Sequence, residues 1–292
     1  MKSRRSTWGV ASPCAGLTLA LLLLLNADRA ALGSLVVLYE TGFEAPGFAT
    51  GQLPGQNGWV AWRGFDESAA RVVTGNAASG AQAAMIDGSL TSTPDVDSPW
   101  ENFYYPGNLF GLDLSTIRAT SLTLEVDVRL DLLQPTPDPW IGLAMWTAAG
   151  ERFAYMTLGG DDLFWFATGL DAYFNVVEQP GVEFGRYYNI RMTYDLIANQ
   201  ASFWVDGVHR ATLPYLGPAF APVLGDVDLL VGTYDGFTRP PVRGYFDNYR
   251  ITANVIPEPT GLVLMGVGSL GLALWRLGRS RGAGRKRVAT AK

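Results

Sequence analysis

The chain has 292 residues, of which 48 % are hydrophobic and 12 % aromatic, with 22 basic against 27 acidic side chains, a net charge of −5, one cysteine and one histidine. The charge is uneven. Four basic residues precede residue 30 and seven follow residue 275, leaving residues 34–256 with eleven arginines against 25 carboxylates, a balance that would repel a phosphate backbone and excludes nucleic-acid binding. With Cys14 at the extreme N-terminus and His209 the lone imidazole, the body has no disulfide, no cysteine-ligated zinc, no thiol nucleophile and no multi-histidine metal centre.

Residues 1–33 read as a secretory signal. Lys2, Arg4 and Arg5 make a positive start, residues 15–25 an apolar core short for a bilayer, and Ala31-Leu32-Gly33 a small-residue cleavage site before Ser34. An uncleaved anchor is the alternative. Cys14 precedes the apolar core instead of following it, which argues against a lipoprotein.

Residues 34–254 alternate with period two and carry frequent turn residues. Ser121 to Leu130 is the cleanest strand, with Leu122, Leu124, Val126 and Val128 on one face and Thr123, Glu125, Asp127 and Arg129 on the other. Further strands are expected over 35–40, 141–147, 152–158, 163–168, 187–194, 201–205, 227–233 and 244–252. Asp206-Gly207 between Phe203-Trp204-Val205 and Val208-His209-Arg210 predicts a two-residue hairpin, with His209 a surface residue beside the turn. Gln134-Pro135-Thr136-Pro137-Asp138-Pro139 reads as a stiff loop, so the body is expected to be one all-β sandwich or barrel.

Three phrases resemble the concanavalin A-like jelly roll of laminin G domains and legume lectins: Tyr39 to Glu44 with Gly55 to Trp59, Phe203 to Gly207, and Gly244 to Ile251. Glycosidases of the laminarinase group within this fold carry two glutamates on one strand, spaced Glu-x-Asp-x-x-Glu or one residue shorter. Here Glu125 and Asp127 begin that pattern, but Arg129 and Leu130 stand where the second glutamate belongs. A polysaccharide hydrolase or lyase of this fold group is the competing reading; it would need its other carboxylate from elsewhere, Glu151, Glu178 and Glu183 being available. Non-enzymatic sugar binding is the leading expectation, with Trp100, Tyr104, Tyr105, Trp140 and Trp165 as stacking candidates, each weighed against simple core packing. No organic cofactor is called for. Calcium is the one ion expected to suit the oxygen-rich pairs Asp161/Asp162 and Asp226/Asp228, although turns favour aspartate anyway.

Residues 255–292 close the chain with Pro257-Glu258-Pro259, an apolar run expected to be helical over about 261–277, and a basic tail over 276–292 that includes Arg276, Arg279 and Arg281. The prolines end the folded body, the run is a short membrane helix, and the arginines hold its far end in the cytoplasm. All three parts in order resemble the PEP-CTERM sorting signal of Gram-negative bacteria, whose carriers are substrates of an exosortase and are commonly encoded beside exopolysaccharide machinery. The resemblance implies export, transient residence in the inner membrane, then a place on the cell surface or in the matrix. The implied partners are the exosortase, the secretion machinery, the membrane through the C-terminal helix, and polysaccharide. A purely structural surface component is the third reading.

Overall fold

Period-two patterning sends alternate side chains to opposite faces of a strand, so each such run must find a second layer to cover its apolar side. The computed structural model describes residues 33–61, 66–90, 104–136, 138–160, 163–169, 175–178, 182–215, 221–233 and 241–257, with the backbone alone for 163–165 and 175–178. In chain order the described strands are β1 (Ser34–Thr41), β2 (Gly51–Gln52), β3 (Trp59–Ala61), β4 (Ala70–Thr74), β5 (Gln82–Asp87), β6 (Tyr104–Pro106), β7 (Ala119–Leu132) and β8 (Pro139–Thr147). They continue with β9 (Arg152–Gly159), β10 (Leu163–Ala167), β11 (Asn175–Glu178), β12 (Tyr187–Asp195), β13 (Gln200–Val205), β14 (Val208–Pro214), β15 (Leu224–Thr233) and β16 (Val242–Val255).

They form two sheets. The larger runs β14-β13-β12-β7-β16-β5-β4-β2, with β1 pairing the part of β16 that β5 does not reach. The smaller runs β11-β10-β9-β8-β15-β6-β3. Neighbouring strands whose register is defined among the described residues pair antiparallel, and consecutive hairpins alternate with long crossings such as β7 to β16 and β8 to β15. The protein body is therefore an all-β sandwich. Leu35–Val255 make one compact unit; the other unit, Met1–Ser34 with Ile256–Lys292, lies almost wholly outside the described residues. The apolar segments 15–25 and 261–277, Glu258, Pro259, Arg276, Arg279 and Arg281 all lie there too. No helix among the described residues is long and apolar enough to cross a membrane.

The core fills the space between the sheets. Leu122, Leu124, Val126 and Val128 of β7 and Ile190 and Met192 of β12 face Ile141, Leu143 and Met145 of β8 and Leu229 and Val231 of β15, all at most 1 % exposed. Each such side chain, fully buried, contributes roughly 1.5–3 kcal/mol before conformational entropy is charged against it. Gly244 of β16 lets the layers close: a β-carbon there would lie 2.2 Å from Val231 Cγ2. The Asp206-Gly207 hairpin forms as expected, with both residues at positive φ (49° and 73°) and Val205 paired to Val208. His209 sits beside it on the surface, its Nε2 2.9 Å from Thr212 Oγ1 and its ring edge-on to Trp204.

The outer faces of the two sheets differ. On the larger sheet β7 and β12 alternate buried with half-exposed residues, an amphipathic face turned to solvent. On the smaller sheet β15 is buried throughout and β8 at all but one position, as expected of near-continuous apolar strands covered on both sides.

Candidate functional site

The register of the smaller sheet brings chemistry to its outer face. Trp140, Gly142, Ala144 and Trp146 alternate with the core-facing residues of β8. Beside Ala144 lie Tyr155 on β9 and Asp228 on β15; beside Trp146 lies Arg152. Trp140, Ala144, Tyr155, Ala167 and Leu230 form a second buried apolar cluster, separate from the main core, with Trp146 and Ala61 packed on its rim. Arg152 spans that rim, its guanidinium 5.0 Å from the Trp146 ring centre and 5.1 Å from that of Tyr155. Such a planar cation between two rings stiffens an aromatic surface and keeps it amphipathic.

Across the face, β6 contributes Tyr105, half-buried and paired to the exposed Val60 of β3. Burial pushes the Tyr105 phenol up, and the carboxylates of Asp226 and Asp228 push it further in the same direction, which places both acids near it. Asp226 leaves β15 at a bulge between Leu224 and Val227, while Asp228 is fully buried. The face thus combines flat rings, one guanidinium and two carboxylates, with Tyr105, Trp146 and Arg152 half-buried and Asp226 and Asp228 buried.

The candidates named from sequence divide accordingly. Tyr105, Trp140, Asp226 and Asp228 share this face. Trp165 belongs to the same sheet, its backbone in register between Thr157 and Val176. Trp100, Asp161 and Asp162 lie outside the described residues. Tyr104 is corrected: with zero exposure it faces Leu229 in the main core, its hydroxyl donates to the Asp66 carbonyl at 2.7 Å, and it offers no ring to a ligand. Trp140 is also wholly buried, as the foundation of the aromatic cluster and not as its exposed platform. Sequence reasoning gave too little weight to Trp146, Arg152 and Tyr155. Their offset alternation across the 147–151 turn signals a shared face only once the hairpin register is known.

Among the described residues the fit to calcium is poor. The ion takes six to eight oxygens, and among the described residues no group of three or more acidic, histidine or cysteine side chains is placed to hold a metal. Asp226 and Asp228 bring two carboxylates to the neighbourhood of Tyr105.

Glu125 and Asp127 sit on the opposite, larger sheet. Both oxygens of Asp127 are occupied: Asn189 Nδ2 donates to Oδ1 at 2.9 Å and Asn248 Nδ2 to Oδ2 at 2.7 Å. Arg129 makes a two-pronged ion pair with Asp131 at 2.9 and 2.8 Å. Leu130, where a second glutamate would belong, is 2 % exposed and faces the core. Glu125 stands in register between Arg191 and Arg250. The run is a cross-strand polar ladder, and the carboxylate pair of a glycosidase is not assembled on it.

Two further acids hold the fold's seam, a role the sequence did not signal. Glu44 accepts from the Ala81 and Gln82 amides at 2.7 and 2.9 Å. Asp247 accepts from Ser79 N at 2.8 Å and Asn248 N at 2.7 Å. Together they pin the turn before β5 to β1 and β16. Burial pushes the Asp247 carboxyl up despite those bonds.

No family model and no curated protein matches the chain. Among solved structures it is similar to a carbohydrate esterase of the Shiga toxin-encoding bacteriophage phi24B, at 13 % identity and a TM-score of 0.50 over 76 % of this chain and 100 % of that one. The catalytic domain of an endo-1,3-beta-glucanase (laminarinase) from Thermotoga petrophila aligns at 13 % identity and 0.49 over 76 % and 99 %. A GH131 beta-glucanase catalytic domain from Podospora anserina aligns at 12 % identity and 0.48 over 74 % and 95 %. These solved neighbours are carbohydrate-active enzymes, and at such identities the likeness to the esterase is one of fold, an all-β sandwich.

Proposed function

We propose that this is an exported surface protein whose concanavalin A-like jelly roll binds carbohydrate, of the cell's own matrix or exopolysaccharide, without cleaving it. The observation that carries the reading is the outer face of the smaller sheet, where half-buried Tyr105, Trp146 and Arg152 stand with Asp226 at the rim of a buried aromatic base that includes Trp140 and Tyr155. Rings recognise the C–H faces of a sugar, and the charged groups at the rim fix its hydroxyls. Arg129 and Leu130 stand where the second glutamate of the laminarinase pattern belongs, and this supports binding over hydrolysis. Export and sorting rest on the sequence alone: the signal over 1–33, and Pro257-Glu258-Pro259 with its apolar run and arginines as an exosortase substrate in a Gram-negative cell.

The test is affinity electrophoresis of the purified protein through gels containing bacterial and plant polysaccharides, with calcium and with chelator. Retardation without glycan degradation, lost in Trp146→Ala, is expected. Cleared glycan would overturn the non-enzymatic reading. No retardation on any gel would leave a structural surface role. Sorting is tested by cell fractionation: replacing Pro257-Glu258-Pro259 by alanines should hold the protein in the inner membrane, and unchanged surface delivery would refute the exosortase reading.

A further inference from the structure

Several exposed apolar side chains gather at one end of the larger sheet. β16 finishes at Val255, in register with Ala119 at the start of β7, and β12 finishes at Asp195, in register with Ser121. β1 pairs the opposite edge of β16. Glu40 lies 3.8 Å from Arg250, and a β-carbon on Gly42 would lie 3.8 Å from Asn248 Oδ1, so β16 recedes as β1 advances. The two run antiparallel, and Leu35, five residues before Glu40, comes level with Val255, five after Arg250. Neighbouring strands lie about 4.8 Å apart, so the ends of β1, β16, β7 and β12 make a rim on the order of 15 Å long.

This rim is apolar where it meets water. Leu35, Val36 and Val37 are 58 %, 38 % and 44 % exposed. Successive residues of a strand point to opposite faces, so three in a row this open leave both faces of β1 uncovered there, an arrangement that ordinary surfaces avoid. At the other end of the rim, Ile197 is 75 % exposed in the turn between β12 and β13. Asp195 fixes that turn, its Oδ1 accepting from the Ile197 and Ala198 amides at 2.8 Å each. Beside Ile197 a hollow of about 370 Å³ opens between Ala119, Tyr194, Leu196 and Pro222. Pockets for small molecules run from roughly 300 to 1,000 Å³, so this one admits the end of an apolar chain and not a whole lipid.

The chain that follows decides what meets the rim. Val255 and Gly261, where the apolar run over 261–277 begins, are six residues apart, which fully stretched span about 20 Å. β16 has 14 residues and is roughly 45 Å long. With the run in a bilayer, the end of the sandwich at Val255 is therefore held within about 20 Å of lipid, less than half the length of the strand that leads to it. A tether so short gives the rim an effective concentration at the surface on the order of millimolar, so that a contact too weak to form alone is populated. Charge opposes the alternatives. The body carries eleven arginines against 25 carboxylates, so a second copy pairing along β1 would approach against repulsion, and anionic headgroups would add nothing. Apolar contact is what this rim offers.

We infer that the rim docks on the membrane, with Leu35, Val36, Val37 and Ile197 entering the boundary between headgroups and acyl chains. β16 then stands roughly upright, and the outer faces of both sheets stay clear of the lipid. The inference rests on the sorting-tail reading in one respect, that residues 261–277 enter a bilayer.

The test uses the full-length protein with Cys14→Ser and one new cysteine at a time, Leu35→Cys, Ile197→Cys or Gln134→Cys, carrying an environment-sensitive fluorophore. Gln134 lies at the opposite end, two residues past the pairing of Leu132 with Val242. Each protein is placed in phosphatidylcholine nanodiscs with shallow spin-labelled lipid, and separately exposed to aqueous iodide. Labels at 35 and 197 should be quenched by the lipid about threefold or more above the label at 134, and shielded from iodide. Raising salt to about 1 M, where the Debye length is only about 3 Å, should change neither result. A label at Ala198→Cys should lose its lipid quenching when Leu35→Asp and Ile197→Asp are added, with thermal unfolding checking the fold. Labels at 35 and 197 that iodide reaches as freely as the one at 134, in protein that co-purifies with the discs, would overturn this inference alone. Shielding from iodide in detergent, without lipid quenching and with a doubled mass, would overturn it in favour of a second copy. Protein that fails to enter the discs would overturn the membrane reading of 261–277 and this inference with it.

Discussion

Replacing Asp127 with alanine strips Asn189 and Asn248 of the acceptor their amides share, on a face only half open to water. The expected loss is about 1–2 kcal/mol, toward the lower end for bonds to a charged acceptor, read as a lower urea midpoint. Affinity at the aromatic face should not change, since Asp127 lies on the other sheet; a fall there would mean the faces are coupled. At Gly207 the backbone is left-handed, and a β-branched side chain costs roughly 1–2 kcal/mol. Gly207→Val should therefore destabilise the β13–β14 hairpin by about that amount in urea unfolding. These two residues show how unevenly single positions could be read. Asp206-Gly207 declares its turn because only a few residue types tolerate that geometry. Glu125-x-Asp127 is compatible with both a catalytic strand and a polar ladder, and the deciding facts, two asparagines from distant strands, are not local.

Single elements were legible wherever they alternate. β7, β12 and β13 match their predicted spans to within two residues at either end, because one face of each meets water and the other the core. β5 was missed: Gln82 to Asp87 is buried at every position and half of it is alanine and glutamine, so neither alternation nor β-branching marks it. β3 and β6 are three residues each, too short to carry a period. Which faces join to form a site depends on strand order, and β8 meets β15 across some eighty residues of chain. Contact between the sheets at Gly244 makes a prediction at this scale. Gly244→Ala would place its β-carbon 2.2 Å from Val231 Cγ2 and 3.0 Å from Ile141 Cδ1. Prising the layers apart should cost about 1–3 kcal/mol, measured by denaturant unfolding; a neutral result would mean the sandwich yields there easily.

For the molecule as a whole, tyrosines set the alkaline limit. Burial raises the phenols of Tyr104, Tyr187, Tyr194 and Tyr249 above their ordinary value of 10.0, with nearby acidic groups adding to the rise. Unfolding returns each to that ordinary value, so above it the unfolded chain sheds protons that the folded chain keeps. The stability these groups contribute is whole below that value and declines as pH climbs toward the folded values. Urea unfolding should show a falling free energy between about pH 9 and about pH 11, with phenolate absorbance appearing together with loss of structure. Phenolate appearing in the folded protein well before unfolding would contradict the burial of these rings.

β16 is the last described strand, ending two residues before Pro257, and it is flanked along its length by β7 on one side and by β5 and β1 on the other. In an antiparallel sheet the interstrand bonds lie across the strand direction. A tug on the tail therefore acts along β16 and loads those bonds side by side in shear, instead of peeling them away one after another. By that single placement the sandwich is built to bear tension applied through the chain that follows β16.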